Sequence, residues 1–208
     1  MAKLSNLLPC ALAIGASCML FSCSKSAKFA GYWTSITPKD FTMEVPGASN
    51  ATSTMTLNFT EGSQKTDGTA VLTNTIDVTK TMEGDSLSSR KPYTITYQAS
   101  AKIDGTWTYD VDDDDDLLLN LDLSKIAVVI DRNSVSYSQP FASEISKAQL
   151  DSITTVSLPI WQEELKQALS TDFSRFTVIE DIDVEHGGKI LEFEIESPKE
   201  KLQFKKIE

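Results

Sequence analysis

The chain has 208 residues, and its 30 aspartates and glutamates outnumber its 19 lysines and arginines, which gives a formal net charge of −11 at pH 7. This surplus of negative charge repels phosphate backbones, so nucleic acid is excluded as a partner. With 40% hydrophobic residues the chain can bury one substantial core, and its length favours one domain over two.

The first 22 residues have the features of a bacterial lipoprotein signal peptide. Lys3 gives a positive start, an apolar stretch runs from Leu7 to Phe21, and Leu20-Phe21-Ser22-Cys23 resembles the lipobox at which such signals are cleaved. We expect residues 1–22 to be removed and Cys23 to be acylated and to become the N-terminus. A transmembrane helix or an ordinary secretory signal is the alternative. The apolar stretch is, however, shorter than the roughly 20 residues that a spanning helix needs.

The predicted lipid anchor also indicates a location. The resemblance to Gram-negative lipoproteins implies an outer-membrane protein of the bacterial cell envelope, because Ser24 follows Cys23 where an aspartate is the signal for retention in the inner membrane. Cys10 and Cys18 lie within the signal, so the mature chain keeps only the cysteine that carries the lipid. Disulfides, cysteine nucleophiles and cysteine metal sites are thereby excluded.

The mature chain has 186 residues (208 minus 22). Residues 23–29 are expected to form the lipidated N-terminus and a short spacer, which keeps the domain close to the membrane. Residues 30–208 are predicted to form one β domain.

Apolar and polar residues alternate over residues 93–111, as in a half-buried strand. The apolar side chains occupy odd positions: Tyr93, Ile95, Tyr97, Ala99, Ala101, Ile103, Trp107, Tyr109 and Val111. Gly105 interrupts the series and is expected to bend or bulge the strand. Because the leucines from Leu117 to Leu123 repeat the alternation, two strands joined by an acidic tip are predicted.

Other segments show the same period. Residues 55–59 alternate, the threonine-rich stretch 69–81 favours extended chain, and residues 178–204 contain short alternating segments separated by turn residues. We count about ten strands, most of them adjacent to their neighbours in sequence. A mainly β fold is predicted, an antiparallel up-and-down barrel, because closure removes exposed strand edges.

Residues 142–170 depart from this period and place apolar side chains at helical spacing. Ser157 before Pro159 is typical of a helix start, so one or two helices are predicted before the C-terminal strands. The apolar stripe comprises Trp161, Leu165, Ala168 and Leu169. Since such a stripe must be buried, a packing element that closes the core is favoured over a lid or a partner-binding helix.

Two Gly-x-Trp tripeptides, Gly31-Tyr32-Trp33 and Gly105-Thr106-Trp107, lie among the predicted strands. The first, near the mature N-terminus and ahead of a run of alternating strands, resembles the opening motif of lipocalin-like barrels, which occur in bacterial envelope lipoproteins. The resemblance implies that Trp33 packs at the base of a barrel against a basic residue of a late strand, either Lys205 or Lys206.

The acidic run Asp110-Val111-Asp112-Asp113-Asp114-Asp115-Asp116 suggests calcium as a ligand. An EF-hand loop that starts at Asp110 or at Asp112 lacks the glycine at position six and the glutamate at position twelve. A solvated hairpin tip that resists edge pairing is the simpler interpretation, although dense carboxylates attract cations loosely. We expect no specific metal site.

Enzyme signatures are weak. His186 is the only histidine, it lies beside Gly187-Gly188, and no nucleophile or orienting acid is singled out near it. Phosphate-binding glycine loops are absent, whereas a pair of glycosidase-type carboxylates stays possible. We predict a protein that is not an enzyme, with no catalytic residues and no cofactor.

Two functions of different classes fit these observations. In the first, the barrel binds a small apolar or amphipathic molecule in an interior lined by aromatic residues. The candidates are Trp33, Tyr93, Tyr97, Trp107 and Tyr109. In the second, the barrel is packed solid and the protein is a scaffold or accessory subunit that binds protein partners in the envelope.

Overall fold

A computed structural model describes residues 29–63, 66–84, 91–109, 116–139, 141–196 and 198–207. The predicted signal peptide, the lipidation residue Cys23 and residues 110–115 of the aspartate run lie outside these ranges. In the described ranges, no helix has both the length and the hydropathy of a membrane-spanning segment.

The described part of the chain forms eleven strands: β1 (Gly31–Ser35), β2 (Lys39–Asp40), β3 (Ala48–Glu61), β4 (Asp67–Met82), β5 (Tyr93–Tyr109), β6 (Leu117–Leu121), β7 (Ala127–Ile130), β8 (Ser136–Tyr137), β9 (Val178–Glu185), β10 (Ile190–Ile195) and β11 (Glu200–Lys206). Eight of these strands close into an antiparallel barrel whose order follows the sequence. The barrel closes at β1, which pairs with β3 on one side and with β11 on the other.

The mainly β prediction is confirmed, but the predicted barrel of about ten strands is wrong, since the described barrel has eight. The remaining strands, β2, β7 and β8, pair outside the closed circle. β5 is 17 residues long; its last residues pair with β6, whereas its earlier residues extend past β6 and pair with β7 and β8. Strand pairing therefore continues beyond the barrel wall.

Gly105 serves close packing and forms no bulge. The register between β4 and β5 runs without a break from Asp67 opposite Thr108 to Met82 opposite Tyr93. A Cβ atom at Gly105 would lie 2.7 Å from the backbone oxygen of Asn120 on β6, a distance that real Cβ atoms do not adopt. Only glycine fits at this crossing of strands.

The predicted helical insertion is present as α1 (Phe141–Glu144) and α2 (Lys147–Phe173). α2 begins with a capping box, in which Gln149 N donates to Ser146 Oγ at 3.3 Å and Ser146 N donates to Gln149 Oε1 at 3.1 Å. The helix continues through Pro159, so Ser157 does not begin a second helix. The predicted stripe is buried along its length, and this burial offsets the hydrogen bond lost at the proline.

The barrel has two different ends. At one end, which we call the closed end, the chain enters the barrel at Phe29. The turn at residues 186–189 between β9 and β10 lies at the same end. We call the mouth the opposite end, which carries residues 36–38, Glu200 at the start of β11 and Asp172 at the end of α2. One continuous hydrophobic core extends from the closed end to the surface on which α2 packs.

Candidate functional site

The five aromatic residues predicted to line a ligand site are separated into two clusters. Trp33, Trp107 and Tyr109 lie at the closed end, whereas Tyr93 and Tyr97 lie on the other half of β5, beneath the helical insertion. Tyr109 is half-buried and the other four are buried. The structure does not bring these side chains together around one cavity, and their role in ligand binding stays a prediction.

Phe29 seals the closed end. Its ring lies 5.0 Å from that of Trp107 and 5.3 Å from that of Phe59, in both cases edge to face. Trp33 Nε1 donates a hydrogen bond of 2.7 Å to the carbonyl oxygen of Phe29, and Trp107 Nε1 donates one of 3.3 Å to that of Thr60. Both indole N–H groups therefore have hydrogen-bond acceptors on the backbone. The aromatic rings fill this end of the barrel.

The basic residue implied for the barrel base is Lys206. Its Nζ lies 5.3 Å from the centroid of the Trp33 ring, a cation–π distance. Trp33 and Lys206 are also paired in register between β1 and β11. The contact between the first tryptophan and a late basic residue is thus formed in this chain.

The other two aromatic residues stack on the helical insertion. Tyr93 lies 3.8 Å from Phe141 of α1, and Tyr97 lies 4.9 Å from Trp161 of α2, with nearly parallel rings in both pairs. Burial, reinforced by the charge of Glu164, raises the pKa of Tyr97. These contacts attach the helices to the inner face of β5, as the packing interpretation predicts.

An opening of different character lies at the mouth. It contains a cavity of about 40 Å³, enough for two or three water molecules. Its apolar walls are Met55, Phe176, Ile195, Leu202 and Phe204, and its polar walls include Lys39, Ser53, Asn74, Asp172 and Arg175. A surface groove of about 450 Å³ between residues 35–40 and 200–204 shares lining residues with this cavity, among them Lys39, Glu200 and Leu202.

Two polar side chains from adjacent strands lie inside the barrel at this cavity. Asn74 Nδ2 donates a hydrogen bond of 2.8 Å to Ser53 Oγ, and the two residues are only 2% and 3% exposed. Asn74 Oδ1 is buried without a hydrogen-bond partner among the described residues. An unpaired buried amide oxygen is costly, so the site is suited to a group that donates a hydrogen bond.

Four charged residues surround the same cavity. Asp172 forms ion pairs with Lys39 and, at 3.4 Å, with Arg175, while Arg175 Nη2 lies 2.6 Å from Glu200 Oε2. Arg175 Nε is buried and has no hydrogen-bond partner within the described ranges. Because two cations face two carboxylates, the cluster is neutral as a whole, and the Arg175 Nε–H is a buried donor without a partner among the described residues.

Sequence reasoning missed these mouth residues, although β4 carried a signal. The buried positions of β4 are the even ones from Ala70 to Lys80, and Asn74 is a polar residue in that series. Ser53 interrupts the buried series of β3 in the same way. The charge cluster gave no comparable signal, because Lys39 and Asp172 lie 133 positions apart in the chain.

The remaining predicted features are peripheral. His186 lies in a turn with a φ of 52°, and its side chain is 71% exposed with Nδ1 3.4 Å from Glu185. Within the described residues, no group of three or more histidine, cysteine or acidic side chains is placed to hold a metal ion. Most of the aspartate run falls outside those residues, so the structure does not test its interpretation.

Comparison of the chain with protein-family models, with curated proteins and with solved structures gave no match.

Proposed function

We propose that this protein is a lipid-anchored cell-envelope protein whose lipocalin-like barrel binds a small amphipathic molecule at its mouth. The anchor is proposed from the lipobox-like Leu20-Phe21-Ser22-Cys23 and the short spacer after it. The barrel's eight sequential strands and the contact of Trp33 with Lys206 support the lipocalin-like assignment.

One observation carries the ligand proposal: Asn74 and Arg175 line a cavity that opens to solvent, and each has a buried polar atom without a partner among the described residues. Asn74 Oδ1 is an acceptor and Arg175 Nε a donor, so a head group that carries both a donor and an acceptor, such as a hydroxyl or an amide, matches the chemistry of this site. The paired charges around them favour an uncharged head group over an ion. The apolar walls and the outer groove accommodate the rest of the molecule.

The size of the cavity limits what enters it. Ligand pockets for drug-sized molecules measure about 300–1,000 Å³, so only a small head group fits in this cavity of about 40 Å³. The remainder lies in the groove beside residues 35–40.

The test is native mass spectrometry with organic extraction on the acylated protein, purified gently from an envelope. A stoichiometric molecule that co-purifies supports the proposal, and extraction identifies it. The matched pair of variants is Asn74→Leu/Ser53→Ala, which removes both polar partners together, and Thr73→Leu/Thr54→Ala on the outward faces of the same strands. The first pair is expected to lose the bound molecule while it keeps the fold, and the second to retain it. An empty wild-type protein that also binds no candidate amphiphile contradicts the proposal.

A second candidate function rests on the packing of the closed end. Phe29 and its neighbours fill that half of the barrel, and α2 exposes Val156 (66%) and Ile160 (56%) on its outer face. These features fit a packed accessory subunit that binds a protein through α2. Crosslinking in intact envelopes from a photoreactive group at position 160, with no small molecule bound, would favour it.

A further inference from the structure

We infer that the closed end of the barrel rests on the membrane surface through a small basic and apolar surface, and that the mouth faces away from the membrane. The inference depends on the lipid anchor of the proposed function. It adds an orientation and a lipid contact surface.

The first argument is the length and the attachment of the spacer. Only five residues, Ser-Lys-Ser-Ala-Lys, separate Cys23 from Phe29. Fully extended, this segment spans about 20 Å. Because Phe29 is 1% exposed and hydrogen-bonded to Trp33, the spacer begins at a rigid point of the closed end. An acylated Cys23 therefore holds that end within about 20 Å of the lipid head groups.

The second argument is the composition of the surface beside Phe29. We call it the tether-exit surface and define it by Tyr32, Lys189, Lys205 and Ile207. Tyr32 is 57% exposed and Ile207 43% exposed, and Ile207 N donates a hydrogen bond of 2.9 Å to Tyr32 O. These are among the few large apolar side chains that the described chain exposes.

The two lysines of this surface are exposed and lie on the neighbouring strand ends. Lys206 N bonds to Lys189 O at 2.9 Å, and Lys205 is paired with Ile190 on β10 and with Thr34 on β1. Tyrosine and lysine together are typical of membrane interfaces, because each has an apolar stem and a polar tip that reaches the head groups. Lysines also attract anionic lipid within about 10 Å.

Carboxylates lie elsewhere on the closed end, and they set the tilt of the barrel. Glu61 lies at the end of β3 and Asp67 at the start of β4. Anionic lipids repel these carboxylates and attract the tether-exit surface. We therefore expect the β1 and β11 side of the closed end to lie nearest the membrane, so that a ligand reaches the mouth from the aqueous phase.

The experiment measures energy transfer from single labelled cysteines to acceptor-labelled lipid head groups. The acylated protein is reconstituted into vesicles of phosphatidylcholine with phosphatidylglycerol. Because Cys23 is the only cysteine of the mature chain and carries the lipid, an introduced cysteine is the only labelled position. The variants are Glu185→Cys near the closed end and Met43→Cys, at a position 93% exposed in the connection between β2 and β3.

Glu185 lies at the closed end, and Met43 lies beyond the start of β3 at the opposite end of the barrel. The length of β3 places the two positions on the order of 35 Å apart. We expect about twofold more transfer from Glu185→Cys than from Met43→Cys. Equal transfer, or more transfer from Met43→Cys, overturns the orientation. A protein that does not float with the vesicles at all overturns the anchor, and with it the proposed function, so the two failures are distinguishable.

A second arm tests the tether-exit surface itself. Lys189→Glu/Lys205→Glu reverses its charge, and Lys125→Glu/Lys147→Glu makes the same change in net charge far from the closed end. In the Glu185→Cys background, the first pair is expected to lower the transfer in phosphatidylglycerol vesicles and the second to leave it unchanged. The same transfer in both double variants overturns the lipid contact at this surface.

Discussion

The indole Nε1 of Trp33 donates a 2.7 Å hydrogen bond to the carbonyl oxygen of Phe29, and the same indole receives Lys206 over its ring. Trp33 thus joins the incoming chain, the first strand and the last strand. We expect Trp33→Phe to lower the free energy of unfolding by about 2–3 kcal/mol, because it removes both a buried hydrogen bond and ring volume. Urea denaturation measures the change.

Trp161→Phe is the matched control, because Trp161 is also buried and stacks on Tyr97. We expect a loss of about 1 kcal/mol there, since a phenyl ring preserves the stacking. An equal loss in both variants would contradict the special role of Trp33.

The buried hydrogen bond between Ser53 and Asn74 allows a test of what an unpaired polar group costs in stability. Ser53→Ala leaves Asn74 Nδ2 buried without its acceptor and is expected to cost about 1–2 kcal/mol. Asn74→Leu/Ser53→Ala removes both polar groups and is expected to be close to neutral in the ligand-free protein. A double-mutant cycle of chemical unfolding measures the coupling, and additive losses would contradict it.

Lys80 on β4 and Glu164 on α2 form an ion pair that attaches the helix to the sheet. The Lys80 side chain is 6% exposed and that of Glu164 is 28% exposed, so loss of the acid leaves a buried cation unpaired. We expect Glu164→Gln to cost about 2–3 kcal/mol and Lys80→Met to cost less, because methionine fills the space without charge. Thermal unfolding of the two variants gives the order, and the reverse order would contradict this account.

Tyr97 predicts a dependence of stability on alkaline pH. Its hydroxyl is buried without a hydrogen-bond partner in the described part of the chain, and burial raises its pKa above the ordinary value of 10.0. Above pH 10 the unfolded chain therefore loses this proton before the folded chain does. Stability that is fully present below the unfolded pKa then declines with rising pH, by at most about 1.4 kcal/mol per pH unit.

Tyr97→Phe removes this contribution. We expect the variant to be as stable as wild type or more stable at pH 7, and to lose less stability between pH 9 and about 11. Urea denaturation at both pH values is the measurement. The same alkaline loss in wild type and variant would show that Tyr97 does not titrate on unfolding.

The regular parts of the fold could be predicted from local patterns. The odd-numbered apolar series of β5 indicated its inward face, and the stripe of Trp161 and Leu165 indicated the buried face of α2. The number of strands could not be predicted, because a two-residue strand such as β2 has no period. Nor could alternation show that β7 and β8 pair with the N-terminal part of β5, at residues 95–102.

The candidate site was harder to predict than the fold. The aromatic residues predicted to bind a ligand pack in the core. Alternation shows which side chains point inward, but it does not show how much empty space they leave inside the barrel. The mouth depends on long-range neighbours, such as Arg175 after α2 and Glu200 on β11. Polar residues at inward positions, such as Asn74, are the local pattern that indicates such a site.

Phe29 belongs both to the spacer and to the core, and this has a mechanical consequence. A pull on the chain that precedes Phe29, such as the proposed lipid anchor would transmit, acts first on the ring of Phe29, which packs against Phe59 and Trp107, and then on β1. β1 is hydrogen-bonded to strands on both sides, so a load along it must shear two ladders at once. The proposed anchor at Cys23 is therefore joined to the barrel at a strand that two hydrogen-bonded ladders hold in place.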